Sequence, residues 1–558
     1  MTYTPPTAEQ RFVLEHVVGI ADLVDDMDLV DAVIEGAGAF AAGNYAPLGR
    51  AGDTTGACWN DGKVTMPAGF REAYAAFVEG GWGGIGVPEA HGGQGLPYAL
   101  ATVLMEDLGS ANMGFSLINM LTPGAIEALI SHGSADLQAL YLPRLVTGEW
   151  NGTMNLTEPQ AGSDVGALRT TATPAQDGSW RIKGTKIFIT FGEHDLTDNI
   201  VHLVLARTPG APAGPKGISL FLVPKFRLDA QGRPDAFNDV RCTGIEHKLG
   251  IHASPTCTLS FGDSDDCHGW LIGAENEGMR CMFTMMNNAR LNVGLQGVQV
   301  AEAASQRAVA YAAERVQFGR PIIDQADVRR MLLRMRSLTQ GARALLYYAA
   351  GQADRAHAGD AQASARLDLL TPLAKAWGTD VGCEVASIGV QVHGGMGFVE
   401  ETGAAQHYRD IRIAPIYEGT NGIQAADLVN RKLGMNGGET LRALLADMRA
   451  DSVGELALTE LIDATAAIAE QMLRTVPQSR LGGSYPFLTM LSVAVAGWLM
   501  LLQERAAERS ESSDFMVIKR ASARFFLDRI VPEARGLAAS ANIGTYSLMQ
   551  VPASAFAA

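Results

Sequence analysis

The sequence is poor in the residues that would announce several common functions. Its six cysteines, Cys58, Cys242, Cys257, Cys267, Cys281 and Cys383, are scattered through 558 residues without a CxxC pair. That argues against a zinc site or a disulfide framework, so no metal is expected, and it suits a reducing cytoplasm. Positive charge is also scarce: 44 Lys and Arg stand against 60 Asp and Glu, a net charge of -16. No electrostatic footprint for nucleic acid or an anionic membrane surface is present, and any anionic ligand must be held by a few local cations. The N-terminal MTYTPPTAEQRF offers prolines and an acid where an export signal needs a basic start and an apolar run. The longest apolar stretch, Phe487 to Leu502, is FLTMLSVAVAGWLMLL. It falls short of the roughly 20 residues of a spanning helix and contains Thr, Ser and Gly, so a buried bundle helix is expected, not membrane insertion. Two apparent motifs lack their context. Gly81, Gly83 and Gly86 satisfy GxGxxG, but Pro88 follows and no βαβ unit surrounds them. His91 to Gly95, HGGQG, resembles an oxyanion loop, yet no GxSxG elbow exists in the chain.

What remains is an ordinary globular composition, 47% hydrophobic and 19% charged, with room for about three or four domains. The periodicity of the apolar residues changes twice. Residues 26–150 are Ala- and Leu-rich with helical spacing. Residues 151–274 carry short alternating or β-branched runs, such as WRIKGTKIFIT, IVHLVLA, GISLFLV and CTLSFGD, and read as a β domain. Helices return over 275–432, where Leu373, Trp377, Val381, Val385, Ile388 and Val392 form one apolar stripe. Residues 1–25 read as an N-terminal extension, and 439–558 as a further helical domain or arm. The expected class is α+β.

Four stretches combine glycine, small hydroxyls and isolated charges. MNLTEPQAGSD, Met154 to Asp164, offers Thr157 and Ser163 as donors on a path that Pro159 and Gly162 keep non-helical. In ERVQFGRPI, Glu314 to Ile322, Arg315 at a helix end can clamp a phosphate, although a solvated C-terminal arginine has the same appearance. In QVHGGMGF, Gln391 to Phe398, two glycines stop a helix, either as a plain C-cap or as bare backbone against a ligand. In IAPIYEGTNGIQ, Ile413 to Gln424, one carboxylate, Glu418, stands between an apolar stretch and Gly-Thr-Asn-Gly.

Taken in order, TEPQAGSD, KGTKIFIT, EHKLGIHASPT, ERVQFGRPI, QVHGGMGF and IYEGTNGIQ resemble the markers of the acyl-CoA dehydrogenase family, from about Asp26 to Lys432. The resemblance implies an N-terminal helical domain, a central β-barrel or sandwich and a C-terminal four-helix bundle. FAD would lie between the β domain and the C-terminal helices, against a neighbouring subunit. The extensions are similar to the longer branch, which includes broad-range long-chain enzymes and 3-methylthiopropionyl-CoA dehydrogenases. Residue by residue, the pattern puts Met154, Leu156, Thr157, Gly162, Ser163, Phe188 and Thr190 at the flavin. Phe188 stands where common members have tryptophan. Arg315, Gln317 and Phe318 match the segment that reaches the partner's FAD, Gln391, Gly394 and Gly395 the turn that receives its pyrophosphate and adenosine part, and Thr420 a further FAD contact. Arg290, Ser163, Tyr417, Glu418 and Gly419 fall at the acyl-CoA substrate. The implied partners are an electron-transfer flavoprotein and further copies of the chain, in a dimer more than a tetramer.

Desaturating a thioester needs a base for the α-proton while hydride leaves Cβ, and Glu418 suits that role because a dry site raises a carboxylate's proton affinity toward working pH. Gly419 lets the chain turn so that the Glu418 amide can polarise the thioester carbonyl. The family's alternative base position, at the start of the helix carrying Arg290, is held here by Ala289. The competing view of Glu418 is a structural acid paired with Arg409 or Arg412. His393 and His407 read as helix-end or surface histidines. Two other functions are weighed: a flavoprotein oxidase or desulfinase, which Glu418 disfavours, and a DNA-binding relative with a basic C-terminal domain, which the acidic residues Asp447 to Glu470 disfavour.

Overall fold

A computed structural model of the chain describes residues 3–558. The N-terminal extension is a helix, α1 (Thr7–Val13), continued by a wider turn over Leu14–Val18. Helix α2 (Met27–Phe40) starts where Asp26 accepts the N–H groups of Asp28 and Leu29 at 3.0 and 3.1 Å, a side-chain N-cap. The glycine-rich stretch 80–95 folds as loop with two short turns, Trp82–Gly84 and Glu89–His91. Helix α3 (Tyr98–His132) follows, bent at Asn112, and then α4 (Ala135–Thr147).

The β region is one eight-stranded sheet built from β1 (Trp150–Asn155), β2 (Thr171–Pro174), β3 (Trp180–Thr190), β4 (Asn199–Ala206), β5 (Ser219–Pro224), β6 (Val240–Ile245), β7 (Thr256–Phe261) and β8 (His268–Ile272). The order is β6-β7-β3-β8-β5-β4-β1, with β2 paired to β3. Only β1 and β4 run parallel; the other pairs are antiparallel. The long strand β3 links the two halves. Its first residues pair with β2 and β8, and its last with β7.

Three long helices form the next unit: α5 (Gly278–Glu314), α6 (Ala326–His357) and α7 (Ala361–Val392). Between α5 and α6 a hairpin of β9 (Val316–Gln317) and β10 (Arg320–Pro321) projects. Helix α8 (Ala404–Ile411) and α9 (Asn421–Asp427) bracket the Glu418 turn. The apolar stripe of α7 points inward: Leu373, Trp377, Val381, Val385 and Val392 are buried and only Ile388 is partly accessible.

The segment after Leu433 comprises α10 (Glu439–Asp451), α11 (Leu456–Arg474), α12 (Ser484–Arg509) and α13 (Asp514–Phe525). It is integrated, not an outlying arm. Residues Phe487 to Leu501 of α12 belong to the same core as α3, α5, α6 and α7. Helices α3 and α12 are both long and apolar enough to cross a membrane, and both are mostly buried inside the protein. Helix α3 escapes a search for apolar runs because Glu106 and Asp107 interrupt it. Those acids enter a buried polar network. Arg343 donates to Glu106 and Glu302 at 2.8 and 2.7 Å, Gln340 to Glu9 at 2.9 Å, and Ser522 to Gln340 at 2.7 Å, while Lys519 pairs with Glu9. The two terminal segments are thereby fastened to each other through α6. Removing one charge of such a set strands another in the interior, at a cost of about 3–5 kcal/mol.

Candidate active site

Glu418 sits in a tight turn between α8 and α9, with φ at 55° for Glu418 and 84° for Gly419. Left-handed backbone is normal for the glycine and strained for the glutamate, and strain of this kind collects at working sites. The turn is clamped at both ends to one stretch of α7. Lys375 Nζ donates to Ala414 O and to Asn421 Oδ1, both at 2.9 Å. The Asn421 amide donates in turn to Ala376 O, Thr379 Oγ1 and Asp380 Oδ1 at 3.1, 2.9 and 2.9 Å. The backbone N–H of Asn421 reaches Pro415 O at 3.0 Å. Residue types are thus dictated locally: Gly for the second left-handed position, Asn for a side chain that both donates and accepts.

Among the described residues the Glu418 carboxylate forms no ion pair and accepts no hydrogen bond, and the Glu418 N–H has no acceptor. Both groups are left for something else. Burial pushes the Glu418 carboxyl up from 4.5 to about 7, against the opposing pull of Arg290 and Lys375. Burial also brings Lys375 down to about 8, with Glu418 and Asp380 holding its proton on. The arginines that could have made Glu418 structural are placed otherwise: Arg409 pairs with Asp53 at 2.6 Å and Glu400 at 2.8 Å, and Arg412 forms no ion pair with Glu418. Arg290 lies on α5 with its guanidinium over the Phe283 ring, 5.8 Å from its centroid. Ala289 is buried, but not at a helix start. Helix α5 begins at Gly278, where the Gly278 N–H meets Ile218 O at 2.8 Å, so contact with the sheet sets the start about three turns earlier. Tyr417 donates its hydroxyl to Gln296 on α5, and Gln296 reaches the Met120 sulfur of α3 at 3.1 Å.

A second group gathers around β3. A register shift opposite β7 makes a bulge at Phe188, whose φ is 60° and whose ring is 58% exposed. Bulges re-aim side chains in this way. The TEPQAGSD loop is held beside it: Ile187 N–H donates to Thr157 O at 2.9 Å, and Lys186 Nζ to Leu156 O at 3.0 Å and Glu158 at 2.8 Å. Glu158 also receives the N–H groups of Arg169 and Thr170. Burial would raise its carboxyl, but Lys186 and these donors bring it to about 2. Met154 is buried in β1, whereas Gly162 and Ser163 are exposed. The hydroxyls of Thr157, Ser163 and Thr190 have no partner among the described residues.

A third group lies at the ends of α5 and α7. The β9–β10 hairpin turns at Phe318 and Gly319, φ 53° and 76°, leaving Phe318 93% exposed. Arg315 and Gln317 are exposed beside it, and Arg315 makes no ion pair among the described residues. Gln391, Gly394 and Gly395 are exposed at the end of α7, and open space surrounds both glycines. His393 joins the two pieces by stacking on Tyr311, with ring centroids 4.4 Å apart. It is a buried helix-end residue, and burial lowers its proton affinity. His407 is part-buried, and burial brings its imidazole down to about 3, so it is uncharged at neutral pH. No hydrogen bond or ion pair among the described residues joins this third group to the first two. The Thr420 hydroxyl, expected at the cofactor, accepts the Ile423 N–H at 3.2 Å and caps α9, which leaves its own O–H to donate.

Comparison with known proteins then decides the family. Residues 32–149, 153–264 and 276–433 match the N-terminal, middle and C-terminal domain models of acyl-CoA dehydrogenase, and 442–552 the model described as acetyl-CoA dehydrogenase C-terminal like. The chain belongs to the acyl-CoA dehydrogenase family. It is 45% identical to the 3-methylmercaptopropionyl-CoA dehydrogenase of Ruegeria pomeroyi over 96% of this chain and 97% of that one. It is 37% identical to a butyryl-CoA dehydrogenase of Syntrophomonas wolfei over 88% of this chain and 87% of that one. Among solved structures, a chain from one titled electron transferring flavoprotein of Acidaminococcus fermentans aligns with a TM-score of 0.62 and 29% identity, covering 72% of this chain and 96% of that one.

Acyl-CoA dehydrogenases bind FAD, and the residues present fit it. An exposed aromatic on a bulge, glycine turns with open space around them, and three hydroxyls and an arginine that have no partner among the described residues suit a planar, phosphorylated ligand. Residues that a reading of motifs misses are the ones holding those motifs in place: Glu158 and Lys186, Lys375, Asn421 and Gln296. Lys375 carries a signal, a lone cation inside the apolar run LLTPLAKAWG.

Proposed function

We propose that this acyl-CoA dehydrogenase removes the α-proton of a short acyl-CoA thioester with Glu418, giving the trans-2-enoyl-CoA. One observation carries the reading: a carboxylate and an N–H that have no partner among the described residues share one strained residue. The N–H donates to the thioester carbonyl oxygen, drawing charge toward it as the α-carbon loses its proton. The carboxylate takes that proton, and its raised proton affinity suits it to do so near neutral pH. Bound FAD supplies the acceptor for the hydride that leaves Cβ. Phe188, Thr157, Ser163 and Thr190 would hold that group, with Arg315, Gln317, Phe318, Gln391 and Gly395 contributed across a homodimer. The electrons would go to an electron-transfer flavoprotein, in the cytoplasm.

The short-acyl reading rests on two braces between α3 and α5. Gln296 holds the Met120 sulfur, and Gln299 donates to Met105 O at 2.7 Å. A Cβ on Gly109 would stand 2.0 Å from the Gln299 side chain, so α3 is drawn against that amide. Close packing of α3 on α5 at Gln296, the acceptor of the Tyr417 hydroxyl, favours a short acyl chain. The similarity to dehydrogenases of 3-methylmercaptopropionyl-CoA and butyryl-CoA supports the same choice. A panel of acyl-CoAs from C3 to C18, with 3-methylthiopropionyl-CoA included, read by flavin bleaching, tests it. The C4 and methylthio substrates should react fastest, and a preference for the longest chains would overturn the short-acyl assignment.

A further inference from the structure

The C-terminal helix α12 packs against α7 and α9, the helices that hold the Glu418 turn, and one side-chain hydrogen bond carries it into the clamp. Tyr485, in the first turn of α12, donates its hydroxyl to Asp380 Oδ2 at 2.7 Å. The other oxygen of Asp380 receives the Asn421 amide at 2.9 Å, and the Asn421 carbonyl receives Lys375 Nζ at 2.9 Å. Lys375 is fully buried and acts on Glu418 by charge. An unbroken chain of hydrogen bonds therefore runs from an element outside the 32–433 match into the clamp beneath the base. We propose that Tyr485 makes the C-terminal segment a positioning element for Glu418, acting through the hydrogen-bonded chain Asp380, Asn421 and Lys375.

The direction of the effect follows from the charges. Burial favours the neutral form of Asp380, and the Tyr485 hydroxyl and the Asn421 amide offset it by donating to the carboxylate. An ionised Asp380 helps Lys375 keep its proton against burial. A charged Lys375 holds the proton affinity of Glu418 down. Without the tyrosine hydroxyl, Asp380 takes up a proton more readily, Lys375 loses an anion, and Glu418 loses part of a cation. The base then stays protonated to higher pH. The remaining charges facing this cluster come from other elements and stay in place: Arg290 on α5, Asp427 on α9, held by Arg431 at 3.1 Å, and Arg412 after α8. Tyr417 adds only a neutral hydroxyl. Cys383 on α7 also faces Asp380 and Tyr485, and burial raises its thiol, so it adds no charge near neutral pH.

The inference rests on Glu418 being the base, so the wild-type pH profile and Glu418→Gln are measured first on the full-length FAD-loaded enzyme. An enzyme whose profile has no limb due to Glu418 would sink that assignment, separately from the role of Tyr485. With the limb established, Tyr485→Phe should move it upward by about half a pH unit, lower kcat below neutrality and leave KM for the acyl-CoA within about twofold. Tyr485 is 38% exposed, so losing one hydroxyl does not threaten folding. Asp380→Asn, which cannot ionise, should move the limb the same way and further. The double variant should match Asp380→Asn alone, because the tyrosine hydroxyl donates to the aspartate. A limb that stays in place in Tyr485→Phe, with or without a fall in kcat, would reduce the contact to simple support and overturn the proposal. Additive shifts in the double variant would overturn the route through Asp380.

Discussion

Replacing Glu418 by Gln removes the base while keeping its size, and the surroundings of Glu418 make two opposite effects calculable. Burial raises the carboxyl from 4.5 to about 7, which corresponds to about 3 kcal/mol against the charged form. In the unfolded chain the proton leaves near pH 4.5, and in the folded chain it stays to about pH 7. Between those values the folded state binds more protons, so stability falls as pH rises through this window, and the whole penalty stands above it. Glutamine never ionises. The variant should therefore be more stable than the wild type at pH 8, by up to about 3 kcal/mol, and the gain should shrink as pH falls toward 4.5. Activity should move the other way. Flavin bleaching by acyl-CoA should slow by about 10²- to 10⁴-fold, the contribution of a positioned base, and the wild-type loss of rate below pH 7 should vanish from the variant. Affinity for acyl-CoA should hold within about tenfold, since the Glu418 N–H remains. Denaturation curves at several pH values and single-turnover bleaching read both effects. Bleaching at the wild-type rate, or a variant less stable than the wild type at pH 8, would refute the reasoning.

Glu158→Gln strands the fully buried Lys186, so the protein should lose about 3–5 kcal/mol and release FAD faster, as melting curves and flavin in the filtrate would show; unchanged melting would mean that the pair does not hold the loop. Arg315→Ala should weaken FAD retention while moving the stability of the FAD-free protein by no more than about 0.5 kcal/mol, because the side chain is exposed and unpaired. A monomer that keeps FAD tightly in light-scattering measurements would contradict the arrangement across two subunits. Truncation after Gly438 uncovers Tyr348 and Trp377, which meet Trp498 and Phe526 edge to face at 5.4 and 6.2 Å. The shortened chain should aggregate, and a soluble, active product would show the segment to be dispensable.

The chemistry of short chain segments was legible in the sequence. Gly419, Asn421 and the apolar residues before Glu418 lie within a dozen positions, and their roles in a turn follow from residue type alone. The helical periodicity of α7 and the buried character of Phe487 to Leu502 followed from spacing and composition, because a stripe or run of apolar residues has few places to go but a core. Other features depended on residues that only folding brings together. Lys186 meets Glu158 across 28 positions, Lys375 meets Asn421 across 46, and Tyr485 meets Asp380 across 105. None of these pairs shares a period or a motif, since a hydrogen bond between elements is fixed by how the elements pack. The start of α5 was likewise decided by β5 and not by a capping residue. A sequence can thus name Glu418 as a carboxylate suited to proton transfer. The proton affinity that would let it act near pH 7 comes from the walls of α5 and α7 closing around it, because desolvation is a property of enclosure and not of the residue.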